Sequence, residues 1–399
     1  MSLQSPRTLD DACDFIVDCL HATAPTQADG YPLIRTPNVG KGRLDLADVY
    51  RISEDTYHIW TKRAVPEPGD LILAREAPAG NVAIIKEGEK VCLGQRTVHL
   101  RPNRAKVDPD FLCYFLLDAP QQGKLMAGET GATAKHVNMK DIRVLELSGL
   151  PGLKIQHAIG SLLAAYDDLI ENNRRRIDLL EEAARQLYRE WFVCLRFPGH
   201  EHTRITKGIP EGWKSKTLGD LRFEVRESIS PESVEPDTPY IGLEHIPRRS
   251  ISLTEWGRAE QVTSSKHRFR EGEILFGKIR PYFHKVGIAF VDGVASSDAI
   301  VIRPIDLKVH GMVLMTVSSD PFVAVTAQTM REGSKMPRAD WKQMQGYPVP
   351  LPPDGLLGSF ESQIQSIVEQ LKTLSFANHK LRAARDLLLP RLMGGEISV

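Results

Sequence analysis

The sequence contains an internal repeat, and this repeat constrains the fold more than any other feature of the chain. Residues 69–73 (Gly-Asp-Leu-Ile-Leu) recur as residues 272–276 (Gly-Glu-Ile-Leu-Phe), and Arg101-Pro102 recurs as Arg303-Pro304. Three further pairs keep the same order: residues 131 and 333, residues 32–34 and 239–241, and residues 8–10 and 217–220. A single short match is common, but five in one order at a displacement of about 200 residues indicate duplication. We therefore predict two similar structural units.

The length and charge of the chain limit the classes of protein to which it can belong. Its 399 residues suffice for two or three domains at about 100–200 residues per domain. The 51 Lys and Arg residues balance 51 Asp and Glu residues, so a nucleic acid has to be met by a local basic surface. Five cysteines occur without a Cys-x-x-Cys pair, which favours a reducing compartment and argues against a bound metal. No stretch is apolar enough to span a membrane, so we expect a soluble cytoplasmic protein without a membrane partner.

Each half of the sequence changes its pattern once. Residues 30–150 and 210–353 carry short runs of alternating or β-branched residues between Gly, Pro and Asp, which predict strands, with a helix at residues 109–117. From residue 153 to 192, and from 356 to 389, Pro and Gly nearly vanish and apolar residues follow a seven-residue period. The sequence therefore predicts an α+β protein in which two mixed α/β domains are each followed by a long helix.

The seven-residue period assigns a seam to both long helices. Asn173 and Asn378 occupy equivalent positions in it, 205 residues apart, and an amide in an apolar seam fixes register and pairing at a cost in stability. This favours two helices that pack on each other; the alternative is that each packs on its own domain while the asparagines face solvent. The predicted seam residues are Ile159, Leu162, Tyr166, Leu169, Asn173, Leu180, Leu187, Ile367, Leu371, Leu374, Asn378, Leu381 and Leu388.

The sequence lacks the motifs of common catalytic sites. It has no GxxxxGK[ST] phosphate loop, no GxGxxG after a strand, no HExxH and no GxSxG. It also lacks the Asn-Pro-Pro-aromatic tetrapeptide with which adenine methyltransferases hold a flipped base, and its twelve histidines show no ligand spacing. We therefore expect no catalytic residues, no cofactor bound by the chain and no enzyme activity of its own.

Local positive charge in the predicted loops indicates contact with nucleic acid. Residues 248–285 contain nine Lys and Arg against four Glu, and residues 278–285 interleave bases with aromatic residues. Arg, Asn and Glu are the residue types that pair with base edges, although a solvated basic face is the alternative. The candidate DNA-binding residues are Arg35, Asn38, Lys41, Arg75, Glu76, Lys135, His136 and Asn138 in the first repeat, and Arg248, Arg249, Lys278, Arg280, Tyr282, His284, Lys335 and Arg338 in the second.

Four long segments of the sequence resemble the specificity subunit of type I restriction-modification systems. They are GEILFGKIRPYFHKVGIAFVDGVASSDAIVIRP at 272–304, PEGWKSKTLGDL at 210–221, ENNRRRIDLLEEAARQLYREWFV at 171–193, and ANHKLRAARDLLLPRLMGGEI at 377–397. The resemblance covers nearly the whole chain. In the first repeat the segment around Thr8 keeps Thr-Leu-Asp but lacks the Pro-Glu-Gly-Trp lead, and residues 12–20 have a helical pattern there.

The resemblance implies more than the residues show by themselves. It implies two target recognition domains, residues 1–150 and 200–353, and two spacer helices, residues 151–199 and 354–399, which pair as an antiparallel coiled coil in a pseudo-two-fold repeat. Such a chain is a non-catalytic subunit that reads a bipartite asymmetric site in double-stranded DNA. Two modification subunits carry S-adenosylmethionine and the adenine-N6 chemistry, and two translocating restriction subunits can join them.

Two alternative functions belong to other classes. In the first alternative, the chain is the recognition part detached from a fused restriction-modification enzyme and works with a different catalytic partner. In the second, it is a scaffold that joins proteins through its coiled coil without DNA. A neighbouring gene for an Asn-Pro-Pro-aromatic methyltransferase favours the specificity subunit. Failure to bind DNA once that methyltransferase is supplied favours the scaffold.

Overall fold

The chain forms two compact units whose boundaries fall inside its two long helices. The structure, a computed structural model, describes residues 6–47, 49–127, 136–225, 227–330 and 336–399. Unit 1 comprises Met1–Glu171 with His379–Val399, and unit 2 comprises Asn172–Asn378. Each unit therefore contains one mixed α/β part and a portion of both long helices.

The elements of unit 1 follow the predicted pattern of short strands and helices that lead into a long helix. They are α1 (Leu9–Ala12), β1 (Cys13–Asp18), β2 (Tyr31–Ile34), β3 (Tyr50–Ile52), α2 (Glu54–Trp60), β4 (Leu71–Ala74), β5 (Val82–Ile84), β6 (Cys92–Leu93), β7 (Thr97–Pro102), α3 (Pro109–Leu117), α4 (Ala119–Ala127), α5 (Met139–Arg143) and the first part of α6 (Leu153–Tyr188). Helix α6 enters unit 2 at Asn172 and ends there in a π-helical turn (Arg189–Val193). The helix at 109–117 and the long helix from residue 153 are confirmed.

Unit 2 repeats this series with more strands. Its elements are β8 (Ile205–Thr206), β9 (Ile209–Pro210), β10 (Lys214–Thr217), β11 (Arg222–Glu224), β12 (Ser228–Ile229), β13 (Pro239–Ile241), β14 (Ser252–Leu253), β15 (Gly257–Arg258), β16 (Lys266–Phe269), β17 (Ile274–Gly277), β18 (Val286–Ala289), β19 (Gly293–Ala295), β20 (Ala299–Pro304), α7 (His310–Val317), α8 (Asp320–Gln328), α9 (Trp341–Met344), β21 (Pro348–Leu351) and α10 (Asp354–Met393), whose last turns belong to unit 1.

The strand order confirms the internal repeat. In unit 1 a four-stranded antiparallel sheet has the order β1-β7-β4-β5, and in unit 2 the order is β11-β20-β17-β18, with β14 added in parallel at the end. A smaller sheet accompanies each, β3-β2-β6 in unit 1 and β12-β16-β19-β13-β15 in unit 2. Equivalent strands thus take equivalent places, as duplication of one fold requires.

In each unit an ion pair joins the two repeated motifs: the acidic residue of the first motif binds the arginine of the second. The carboxylate of Asp70, which precedes β4, accepts from Arg101 Nη2 on β7 at 2.8 Å and lies 2.6 Å from His99 Nε2. In unit 2 Glu273 pairs with Arg303 in the same way. The glycine before each acid, Gly69 or Gly272, has a φ angle near +90°, which a side chain would disfavour. The motifs recur because their ion pair joins the two central strands of each sheet, β4 with β7 and β17 with β20.

The start of unit 1 corrects the predicted helix over residues 12–20. Only Leu9–Ala12 is helical there, and Cys13–Asp18 forms strand β1, which pairs with β7 in antiparallel register. Thr8 caps the short helix in a capping box with Asp11, as Thr217 does with Asp220 in unit 2. The backbone partner offered by β7 outweighs the weak local preference of this segment for helix.

In unit 2 the long helices run antiparallel and the predicted asparagine pair forms. Asn173 Nδ2 donates to Asn378 Oδ1 at 2.9 Å, whereas the rings of Tyr188 and Phe360 are 6.5 Å apart. Residues nearer the C-terminal end of α6 therefore contact residues nearer the N-terminal end of α10, so the two helices are antiparallel. The asparagines bond to each other rather than facing solvent.

The buried face of α6 departs from the predicted seam at several positions, where the next residue along the helix is buried instead. Leu163 and Ile170 are buried, whereas Leu169 is 51% exposed, so its assignment to the seam is wrong. Leu162 and Tyr166 are only partly buried, and Leu180 and Leu187 lie at the edge of the unit 2 core, while Ile159 is buried. The buried face includes Asp167 and Glu181, two carboxylates that an apolar pattern does not detect.

The buried face of α10 lies largely where the seven-residue period puts it. Leu371, Leu374 and Asn378 are buried, and Ile367, Leu381 and Leu388 are partly buried. In each unit the helices complete an apolar core with the sheet and with the helix pair α3–α4 or α7–α8. Among the described residues, no helix combines the length and apolar character needed to cross a membrane.

Candidate nucleic-acid interfaces

In unit 2 the turn after β17 pairs with the segment before α9. Arg280 N donates to Pro337 O at 2.8 Å, and Ala339 N donates to Lys278 O at 2.8 Å. These bonds bring Lys278, Arg280 and Arg338 together, although about 60 residues separate them in the sequence. Three of the predicted DNA-binding residues thus belong to one surface.

The carboxylate of Asp298 forms ion pairs with two of these cations. Asp298 Oδ1 lies 3.1 Å from Arg338 Nη2 and 3.7 Å from Lys278 Nζ, which also donates to Ser297 O. One negative charge between two positive charges leaves a net positive site. The shared carboxylate restricts both side chains, so less conformational entropy remains to be lost when an anion binds.

Arginines and aromatic rings form a second part of the same surface. Arg248 Cζ lies 4.2 Å and Arg280 Cζ 5.8 Å from the centre of the Phe283 ring, and Tyr282 is 51% exposed. We call Arg248, Arg280, Tyr282 and Phe283 the cation–aromatic cluster. Cation–π contact holds a guanidinium in a fixed plane, and guanidinium planes pair with guanine edges or phosphates.

The loops around this cluster contain backbone conformations that side chains rarely adopt. Arg249, Arg280 and His284 all have φ near +50°, in the left-handed region. Such residues cost of order 1–2 kcal/mol each, and they persist only where neighbouring contacts fix them. The loop conformation is therefore imposed by its surroundings.

His284 is a poor candidate for a DNA contact because its side chain is buried. Its Nε2 lies 2.8 Å from Ser318 O, and Nδ1 lies 3.4 Å from Asp320 Oδ1. Burial lowers the pKa of His284, against the opposing effects of Ser318 and Asp320, so the imidazole is not a fixed positive charge at neutral pH. In this structure its place is inside the loop.

The positive charge of residues 248–285 is not displayed on one surface. Lys266 is buried with 8% exposure, and Lys285 Nζ donates to Leu243 O. Arg258 is exposed but pairs with Asp237 at 3.0 Å. The interpretation of this whole segment as one phosphate-binding face is therefore wrong, because these three cations are buried or already bound within the protein.

In unit 1 the turn after β4 meets the segment before α5 in the same way. Val137 N donates to Arg75 O at 3.1 Å, and Arg75 Nε donates to Val137 O at 2.8 Å. The neighbouring His136 and Asn138 are half-buried, and Asn138 Nδ2 donates to Asp141 at the start of α5. Equivalent loops therefore meet in both units, but in unit 1 the side chain of Arg75 binds the backbone carbonyl of Val137.

The other candidates of unit 1 separate into exposed and internally bonded side chains. Lys41 is exposed, and Arg35 Cζ stacks 3.8 Å from the Tyr50 ring. Glu76 pairs with Arg96 at 2.8 Å. Asn38 is buried and its amide bonds to the backbone of residues 35 and 45, which makes it a residue of the turn rather than of the surface.

Two predicted positions and several unpredicted ones complete the comparison with the sequence. Lys135 and Lys335 lie outside the described residues. Phe283 and Asp298 were not predicted. Phe283 lies within the run of basic and aromatic residues at 278–285, whereas Asp298 has no local signal because its partners are distant in the sequence.

The described residues contain no group of three or more His, Cys, Asp or Glu side chains that could hold a metal ion. Four of the five cysteines, Cys13, Cys19, Cys92 and Cys113, are buried, and all five are free thiols. Burial raises the pKa of the Cys13 and Cys92 thiols to about 12. These thiols are therefore protonated at neutral pH and serve as apolar packing.

Comparison with known proteins gives a consistent result. Residues 16–182 match the family described as the type I restriction modification DNA specificity domain. The chain is 22% identical over 363 residues to the type I restriction enzyme MjaIX specificity subunit of Methanocaldococcus jannaschii, with 85% of this chain and 82% of that protein covered. It is 24% identical over 299 residues to the type I restriction enzyme EcoDI specificity subunit of Escherichia coli, with coverage of 69% and 65%.

A solved structure supports the fold. The crystal structure of the type I restriction-modification system S subunit from M. genitalium superposes with a TM-score of 0.60 at 15% sequence identity, covering 97% of this chain and 95% of that one. At this identity the likeness concerns the fold alone.

Proposed function

We propose that this chain, which belongs to the specificity subunits of type I restriction-modification systems, reads a bipartite asymmetric site in double-stranded DNA. The observation that carries the proposal is the repetition of one strand order and one loop pairing in two units, with different side chains on the paired loops. Two similar frames with different surfaces are suited to two different half-sites.

Each unit reads its half-site through the paired loops. In unit 2 the cation–aromatic cluster supplies guanidinium groups for base edges, while Lys278 and Arg338 supply charge for phosphates. In unit 1 the corresponding loops carry Arg75 and His136, and Lys41 lies on a neighbouring turn. We assign Arg280 to a base contact and Lys278 to a phosphate contact.

The long helices set the number of unread bases between the half-sites. The 36 residues of α6 extend for about 54 Å at 1.5 Å per residue. Adding one heptad to each helix, after Glu171 and after Asn378, keeps the antiparallel seam in phase and adds about 10 Å, close to three base-pair steps. Both half-site sequences should persist while the spacing grows.

The chain itself supplies recognition, and the chemistry belongs to its partners. It binds no cofactor; two modification subunits hold S-adenosylmethionine and methylate adenine, and two restriction subunits join them in the cytoplasm. The purified chain alone should transfer no methyl group and cleave no DNA. Methyl transfer by the purified chain would contradict this division of labour.

Mapping methylated adenines in cells that express the chain with its modification subunits tests the proposal. We expect one asymmetric motif with two fixed parts, and the heptad variant should change only the distance between them. Unchanged spacing in a fully active heptad variant would show that the helices do not set the distance between the half-sites. Failure to bind DNA with modification subunits present would favour the scaffold function instead.

A further inference from the structure

A buried carboxylate on α6 binds the loop that follows the basic residues of unit 2. Glu181 is 2% exposed, and its Oε1 accepts from Ser250 Oγ at 2.7 Å, from Ile251 N at 3.1 Å and from Ser252 N at 3.0 Å. Its Oε2 accepts from Arg185 Nη2 at 2.8 Å. One side chain thus satisfies three donors on consecutive residues of the loop.

The bound segment directly follows two candidate DNA-binding residues. Arg248 belongs to the cation–aromatic cluster, and Arg249 precedes Ser250. Arg185 Nη2, already held by Glu181, also donates to Arg249 O at 2.5 Å, while Arg249 N donates to His284 O at 2.9 Å. The backbone before Ser250 is therefore fixed from α6 on one side and from the turn after β17 on the other.

Stability alone is a weak reason for a carboxylate at this position. Burial raises the pKa of Glu181, and the hydrogen bonds from Ser252 and Ser250 and the charge of Arg185 only partly oppose this. A buried ionised group with its partners often contributes no more to stability than well-packed apolar residues would. What the carboxylate adds is geometry, since it holds the loop next to Arg249, whose backbone is in the left-handed region.

Unit 1 has an independent arrangement with the same result. Arg43, two residues after Lys41, donates from Nη2 to Asp168 Oδ1 at 2.7 Å and to Ala164 O at 3.1 Å, both on α6. A Cβ placed on Gly42 would lie 2.4 Å from Asp167 Oδ2, so the loop backbone packs directly on the helix. The two units use different chemistry to bind the equivalent loop to α6.

The loops are equivalent because each adds a parallel partner to the same strand. Gly42 bridges to Ala83 on β5, and Ser252 pairs in parallel with Ile288 on β18. In the strand register Ala83 lies opposite Ile72 and Gly287 opposite Leu275, so Gly42 and Ser252 meet equivalent strands within one residue of equivalent positions. Two separate solutions at one structural position indicate a shared requirement.

We propose that Glu181 is a positioning residue that fixes the Arg248–Ser252 loop of unit 2 on helix α6, and that the Arg43–Asp168 pair does the same for the Lys41 loop of unit 1. The reading of each half-site then depends on a helix side chain that does not touch DNA. This inference rests on the proposed function, because it presumes that these loops contact a half-site.

Glu181→Gln tests the role of the carboxylate, with Glu182→Gln as the matched control. Both variants lose one negative charge on the same turn of α6, but Glu182 is 53% exposed and binds no loop backbone. The complex with modification subunits is assayed on the cognate site and on sites with a single base changed in either half. We expect Glu181→Gln to lose about tenfold in discrimination at one half-site only, the size of one mismatch penalty. Glu182→Gln should match the unaltered chain.

The unit 1 pair supplies the complementary arm. Arg43→Met should reduce discrimination at the other half-site and leave intact the one that Glu181→Gln affects. Equal losses at both half-sites in both variants would indicate general destabilisation and overturn the positioning role. If Glu181→Gln does not fold, Ser250→Ala removes one of the three donors and should give a smaller loss at the same half-site.

The result separates the two proposals. If the unaltered complex prefers no sequence, the proposed function fails. If it reads a bipartite site and Glu181→Gln reads both halves equally well, the positioning role fails while the proposed function stands.

Discussion

The two units share a frame and differ in the surface that the frame presents. Both have the same order of central strands. In each, an acidic residue that follows a glycine with positive φ pairs with an arginine 31 or 30 residues later, Asp70 with Arg101 and Glu273 with Arg303. On the paired loops, unit 2 presents the cation–aromatic cluster, whereas in unit 1 Arg75 holds the backbone of Val137. Residues that hold the sheet have been kept in both copies, and residues that face outward have not.

The largest expected effect concerns the shared frame. Burial raises the pKa of Asp70, but hydrogen bonds from His99 and Arg101 outweigh it and lower the pKa to about 2. Asp70→Asn removes one partner of a buried ion pair, which costs about 3–5 kcal/mol of unfolding free energy. Glu273→Gln should have a similar effect on unit 2, and urea unfolding of each variant measures both.

The lowered pKa of Asp70 also gives this contribution a pH dependence. The carboxylate stabilises unit 1 above the unfolded value near 3.8, and the stabilisation is lost as pH falls through about 2. In the Asp70→Asn variant the stability between pH 4 and pH 2 should fall less steeply than in the unaltered chain. An identical slope would show that Asp70 does not carry the acid sensitivity of unit 1.

The next effect compares equivalent helix caps. Gln156 accepts from Asp108 N at 3.0 Å in unit 1, and 205 residues later Glu361 accepts from Gly311 N at 2.7 Å and Met312 N at 2.8 Å in unit 2. Burial raises the pKa of Glu361 to about 7, although these two hydrogen bonds oppose it. The unfolded chain releases this proton near pH 4.5, so the unfolding free energy falls by roughly 3 kcal/mol between pH 4.5 and 7.

Glu361→Gln gives unit 2 the side chain found in unit 1 and should flatten this decline. Urea unfolding at pH 5 and pH 8 measures the difference, with the exposed Glu369→Gln on the same helix as the control. A decline that persists unchanged in Glu361→Gln would place its origin elsewhere in the chain.

A smaller effect sharpens the difference between the surfaces. Arg280→Ala should cost roughly 1–3 kcal/mol on the cognate site alone, since we propose a base contact for it, while Lys278→Ala should weaken binding to all sequences and lower the salt slope by about 1. Competition binding by the assembled complex at several salt concentrations separates the two. Arg258→Ala, which removes an exposed arginine paired with Asp237, serves as control. Unchanged affinity in both test variants would make the loop a solvated face.

The smallest effect concerns the helix pair. In unit 2 Asn173 and Asn378 bond to each other, whereas in unit 1 Arg385 pairs with the buried Asp167. Replacing both asparagines by Leu should raise the unfolding free energy of unit 2 by about 1 kcal/mol, because apolar seam residues outweigh a polar pair in stability while fixing register less strictly. A loss of stability would show that the amide pair contributes more than register.

Much of the fold could be predicted because the repeat and the seven-residue period are properties of the sequence. The helix α3 and both long helices lie where the pattern puts them, and most strands fall within residues 30–150 and 210–353 as predicted. The loop candidates were harder to place. Sequence indicates that Arg280 and Arg338 are basic and near turns, but only the backbone pairing at Pro337 brings them together.

Inspection of local composition and spacing is enough to show that the chain is duplicated, that each half ends in a long helix, and that Asn173 and Asn378 are equivalent. These follow from local composition and spacing, which need no knowledge of distant partners. Long-range contacts, by contrast, make residues 13–18 a strand, leave Leu169 exposed, and bury Asp167 and Glu181 on α6. The reason is the same in each case. A backbone edge or a buried charge is stabilised by a partner far along the chain, so its place depends on contacts that no local pattern records.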